Sequence, residues 1–143
     1  ASIEFTPLAD DRYVAACRHD HPLARKTHLS WQAYFEQDYI GLDRVSGNRT
    51  LLDRELAHLT PARPSICETR HVTTMLGMVE AGIGIAAVPA MSMPAGEHSV
   101  LRAVPLTDPV VTRTVGLIRL SGRIQSYVAA ELEKLIIEQY PSG

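Results

Sequence analysis

The chain is poor in the residues that usually announce chemistry. Its 143 residues include two cysteines and one tryptophan, and aromatics make up 6%. Cys17 and Cys67 stand far apart without a C-x-x-C spacing, so two buried, reduced thiols are expected rather than a redox or zinc motif. No apolar run approaches the roughly 20 residues that span a bilayer. Residues 1–7 carry neither the basic nor the apolar segment of a signal peptide. The net charge is −2 and no basic run is longer than Arg25-Lys26, which argues against a dedicated nucleic-acid face. A cytoplasmic setting is the expectation.

What is present is ordinary for one soluble domain, or one domain with part of a second: 45% hydrophobic and 21% charged residues. Residues 13–17 read as a buried strand that His21-Pro22 ends. Ser30 reads as a helix N-cap before a short turn carrying Trp31, Tyr34 and Phe35. Further strands are predicted at 38–42, 65–69, 83–88, 100–104 and 112–120, with loop at 91–99. Leu51, Leu52, Leu56 and Leu59 repeat at helical spacing and predict a helix over 49–58; others are predicted at 72–81 and 125–139. This alternation implies an α/β fold with a mostly parallel or mixed sheet. The last helix carries a stripe of Val128, Leu132, Leu135 and Ile136 after the strand that should complete the sheet. Such a stripe needs cover from elements outside the chain or from a second copy.

Residues 73–89 (TTMLGMVEAGIGIAAVP) hold the most informative pattern: a helix, a glycine-x-glycine turn and a short apolar strand. Gly82-x-Gly84-x-x-Ala87 matches a dinucleotide-binding string, but that chemistry needs a strand before the glycines and a helix after them. The reversed order favours a geometric role. Gly82 would end the helix with positive φ, and Gly84 would let the backbone pass close to a neighbour or ligand. Thr73 and Thr74 read as N-caps of that helix, and a helix N-terminus also attracts carboxylates. Arg44, Ser46, Gly47, Asn48 and Arg49 form a polar loop at a strand end, either solvated or an anion site.

His19-x-His21 would share a strand face with no third metal ligand in view, and His58, His71 and His98 are scattered, so no metal is expected. Glu36, Asp38, Asp53, Glu55, Glu68 and Glu80 read as solvated acids. No catalytic triad, carboxylate pair or nucleophile elbow is present, so no catalytic residue and no cofactor are expected.

Residues 11–24 (DRYVAACRHDHPLA), 29–40 (LSWQAYFEQDYI), 73–89 and 113–118 (RTVGLI) together resemble the LysR-type transcriptional regulators. The likeness runs from about residue 8 to about residue 135. It implies an effector-sensing domain with a type 2 periplasmic-binding-protein-like fold. Residues 11–105 would be one complete α/β lobe, and residues 1–10 and 106–143 a remnant of the other. A small, anionic effector would sit in the cleft between lobes, bordered by Arg44, Ser46, Gly47, Arg49, His71, Thr73, Thr74, Gly82 and Gly84. The first-lobe hydroxyl residues that hold effector carboxylates in the family have no counterpart here. The implied partners are that effector and further copies in a dimer or tetramer. DNA would be bound only through an N-terminal helix-turn-helix outside this chain, and no membrane is involved. An extracytoplasmic solute-binding protein of the same fold is the second reading, and a nucleotide-using α/β enzyme the third.

Overall fold

A computed structural model describes residues 2–96 and 99–140. In chain order the elements are β1 (Ile3–Arg18), β2 (Leu29–Ser30), α1 (Trp31–Tyr34), β3 (Tyr39–Leu42), α2 (Gly47–Glu55), β4 (Cys67–Thr69), α3 (Val72–Glu80), β5 (Ile85–Pro89), β6 (Leu101–Thr107), β7 (Thr112–Leu120) and α4 (Tyr127–Glu138), with 3-10 turns at Pro22–Arg25 and Ala90–Ser92. The chain divides into two compact units. One covers residues 12–112, and the other joins the segment before it to the segment after it.

In the larger unit the strand order is β2-β6-β1-β5-β3-β4. β1 is antiparallel to β5 and β6, whereas β3 is parallel to both β4 and β5 and β2 is parallel to β6. The sheet is therefore mixed, as the alternating pattern implied. Both faces are covered, which explains why the strands read as unbroken apolar runs. Tyr13, Ala15, Cys17, Ile85 and Ala87 pack on one side with Trp31, Tyr34 and Leu56. Val14, Ala16, Ile40, Ala86 and Val88 pack on the other against Met75, Leu76 and Val79 of α3.

Local signals account for several boundaries. The Ser30 hydroxyl accepts the Ala33 N–H at 3.1 Å, the cap that the sequence suggested. At four residues α1 is too short to persist alone. It is held by tertiary contacts: the Tyr34 hydroxyl accepts the buried Ala87 N–H at 2.8 Å, and Trp31 Nε1 donates to the Pro109 carbonyl at 2.9 Å. α3 stops in a full Schellman arrangement. Gly82 adopts φ +83°, its N–H donates to Val79 O, and the Ile83 N–H donates to Met78 O.

Other boundaries depart from the sequence reading. β1 begins at Ile3, well before Tyr13, because its opening residues pair with β7 despite Pro7. β6 continues past Pro105, which faces Val14 in the ladder, to Thr107. α2 starts at Gly47 and ends at Glu55, and Leu56 turns into the core instead of extending the helix. His19 and His21 lie beyond the strand in a turn, where His21 Nδ1 accepts the Leu23 N–H at 3.0 Å. Cys17 is buried but Cys67 only half-buried; both are free thiols.

In the smaller unit β7 lies along the first part of β1. Arg119 pairs with Glu4 at 2.8 Å, Thr114 donates to Asp10 at 3.0 Å, and Arg113 reaches the buried Asp11 carboxylate at 3.3 Å. Ser126 caps α4 through the Ala129 N–H. Val128, Leu132 and Leu135 remain 74%, 56% and 56% exposed while Ile136 is half-buried, so three of the four residues of the stripe read from the sequence lie open. Among the described residues no helix is long and apolar enough to cross a membrane.

Candidate functional site

Parallel β3 and β4 are in register with Leu42 opposite Thr69, so both strands end at one edge of the sheet. From that edge the 43–46 turn leads into α2, and residues 70–71 lead into α3. In open α/β sheets this carboxyl edge is where ligands sit, because successive loops and helix N-termini converge there. Arg44, Ser46, Gly47, His71, Thr73 and Thr74 all belong to it.

Two contacts tie its halves together. The Asp43 N–H donates to the Thr69 carbonyl at 3.0 Å, and Arg70 Nε donates to Asp43 Oδ2 at 3.2 Å. Burial pushes the Asp43 carboxyl up, but Arg70 and the N–H groups of Val45 and Ser46 together hold it below its usual value. A third contact fixes the start of α2: the Tyr13 hydroxyl donates to Asn48 Oδ1 at 2.9 Å. No periodicity signals such a pairing, because the partners lie on elements far apart in sequence.

The caps differ from expectation. Neither Thr73 nor Thr74 is the N-cap of α3. His71 is, with φ −120° and ψ 138°, and Val72 is already helical, so the threonines sit inside the first turn and are exposed. Ser46 caps α2. Neither Ser46 nor His71 makes a side-chain cap hydrogen bond. Both helices thus present first-turn N–H donors at the same edge without a side-chain acceptor of their own.

The remaining expected residues behave differently. Arg44 is exposed at the turn and makes no ion pair among the described residues. Arg49 is committed internally: Nε donates to the Asp53 carboxylate at 3.0 Å, and Nη1 donates to the Leu42 carbonyl at 2.7 Å and to Glu68 at 3.4 Å. The acids Asp38, Asp53 and Glu68, read as solvated, are thus partners of arginines, Asp38 pairing with Arg63. Gly82 and Gly84 lie at the opposite, amino edge, since Ile85 begins β5 beside Tyr39 at the start of β3. A Cβ on Gly84 would come within 2.7 Å of the Asp38 carbonyl, so the close approach it permits is to a neighbouring backbone. The structure does not bring these glycines together with Arg44 and His71.

Among the described residues no group of three or more His, Cys, Asp or Glu is placed to hold a metal ion. His98 lies outside the described residues.

A family model described as the LysR substrate binding domain matches residues 1–141. The HTH-type transcriptional regulator YbhD of Escherichia coli (strain K12) is 42% identical over 137 residues, covering 96% of this chain and 43% of that protein. The chain therefore spans less than half the length of that curated relative. Among solved structures, the effector binding domain of QuiR in complex with shikimate aligns with a TM-score of 0.76 at 24% identity, covering 96% of this chain and 65% of that one. The regulatory domain of CcmR from Synechocystis PCC6803 in complex with 2-PG aligns with a TM-score of 0.79 at 18% identity, covering 97% and 67%. These likenesses establish a periplasmic-binding-protein-like α/β fold of the kind used by LysR effector-binding domains.

Proposed function

The chain belongs to the LysR substrate-binding domain family, and from that premise we propose that it is the ligand-sensing part of a cytoplasmic transcriptional regulator that answers to a small anionic effector. The observation that carries the reading is the pair of helix N-termini, α2 and α3, at the shared carboxyl edge of β3 and β4 without side-chain caps. Backbone N–H groups and the positive ends of two helix dipoles favour a carboxylate or phosphate there. Arg44 would supply a free guanidinium and Thr73 and Thr74 hydroxyl donors, with His71 at the rim. Arg49 would act by holding α2 to the end of β3 rather than by touching the effector. Gly82 and Gly84 would shape the sheet and have no ligand contact. The small molecules named with the QuiR and CcmR domains support an effector of modest size.

The whole protein would contact DNA through another part, as the helix-turn-helix names of its relatives suggest, and effector binding would shift the population of domain arrangements that reach DNA. No catalytic step is proposed. Operator binding by the full-length protein, measured with and without small carboxylates and phosphate esters, tests the reading. Operator affinity unmoved by any of them would oppose it. We also propose self-association, because the exposed face of α4 suits a second copy of the chain. A concentration-independent monomer in sedimentation would contradict that.

A further inference from the structure

The larger unit contains a cavity of about 630 Å³ between α2 and the face of the sheet that carries Tyr39 and Glu68. Its origin is local. Gly41, in the middle of β3, places no side chain into the space, and a Cβ there would already meet the Ser65 hydroxyl at 3.2 Å. α2 is only nine residues long, and the chain leaves it through Pro61 and Pro64 without a further helix to fill the gap.

Its chemistry differs from that of the carboxyl edge. One wall is aromatic, formed by Trp31, Tyr34 and Tyr39, and Leu52 of α2 and Leu56 just after it close the other side. The polar end holds Arg49 against two carboxylates, Asp53 at 3.0 Å and Glu68 at 3.4 Å. Arg63, also on the lining, is neutralised by Asp38 at 2.7 Å. The lining itself carries two guanidinium groups and two carboxylates, and Asp38, held by Arg63 just outside it, leaves the carboxylates in excess by one. An anion would be repelled; an ammonium or aromatic N–H would be drawn to the carboxylates and to the aromatic faces. A volume of this size suits a small drug-like molecule.

We propose that this cavity is a second ligand site, separate from the carboxyl edge, that takes a small aromatic ring carrying an alkylammonium group. The site does not depend on what binds at the carboxyl edge.

Trp31 lines the cavity and is the only tryptophan of the chain, so its emission reports occupancy directly. The intact 143-residue chain would be titrated with 2-phenylethylamine, with 2-phenylethanol and with 3-phenylpropionate, exciting tryptophan alone. The amine should change Trp31 emission saturably, the alcohol more weakly, and the acid not at all. Glu68→Gln should weaken amine binding about fivefold. Asp53→Asn, at the other carboxylate of the polar end, serves the same purpose should the first variant fail to fold. No saturable change with the amine up to about 10 mM, an acid that binds as well as the amine, or full amine affinity in the folded charge variants would overturn the proposal.

Discussion

The Tyr13 hydroxyl and Asn48 Oδ1 meet at 2.9 Å across 35 residues of sequence, joining the core of β1 to the first turn of α2. Tyr13 itself is fully buried. The start of α2 is therefore positioned by the centre of the sheet and not only by the turn that precedes it. Tyr13→Phe keeps the ring and deletes the donor. It should cost about 1 kcal/mol of stability, and thermal melts with effector titrations should show a loss of affinity at the carboxyl edge larger than that stability loss alone implies. Unchanged affinity would mean that the placement of Asn48 does not matter to the site.

Arg49 is expected to be structural. Arg49→Ala removes hydrogen bonds to Asp53, to Glu68 and to the last carbonyl of β3. A loss of about 1–2 kcal/mol in denaturant unfolding is expected, recovered only in part by Arg49→Lys because an ammonium lacks the planar fork. Full recovery by lysine would show that charge alone suffices.

Two glycines should respond in opposite directions. Gly84→Ala drives a methyl into the Asp38 carbonyl, a backbone atom that cannot swing aside, and should cost about 1–3 kcal/mol. Gly77 is exposed within α3 and has open space around it, so Gly77→Ala should stabilise by about 0.5–1 kcal/mol. Chemical denaturation of both variants tests the pair; destabilisation by Gly77→Ala would refute the helix assignment.

Acid should weaken the fold from a known direction. Hydrogen bonds from Arg119 and Arg18 hold Glu4 and Asp20 below their ordinary values, and Asp43 is depressed by Arg70 and backbone N–H groups despite burial. Groups with lowered folded pKa contribute stability above their unfolded pKa and lose it as pH falls through the folded value. The melting temperature should therefore drop below about pH 4, and added salt should reduce that drop because the pairs are exposed. A flat profile through that range would contradict these pairings.

Much of this fold was legible because its strands and helices are short, regular and bounded by strong signals. Ser30, Gly82 and Leu51 and Leu52 of α2 each carry their meaning within a few residues, whereas Leu56 and Leu59 continue the spacing beyond the helix end. The opening of β1 was hidden because Pro7 reads as a break, and β2 is too short to show any period. At the site, the start of α3 at Val72 was legible from the chain, whereas α2 was expected from Arg49 and begins at Gly47, and the cap of α3 is His71 instead of a threonine. The Asp53 partner of Arg49 lies at i+4 and was within reach of sequence reasoning. Its Glu68 partner and the Asp38 carbonyl beneath Gly84 were not, because both come from register across β3. Gly82 and Gly84, close to Thr73 in sequence, lie at the other edge of the sheet because the nine-residue α3 runs back across it.

The most direct test of the central claim is calorimetric titration of the full-length protein with a panel of small carboxylates and phosphate esters, repeated with Arg44→Ala. At least one anion should bind saturably, and Arg44→Ala should weaken it about tenfold while stability stays within about 0.5 kcal/mol. Binding that survives Arg44→Ala unchanged, or no binding by any anion in the panel, would contradict it.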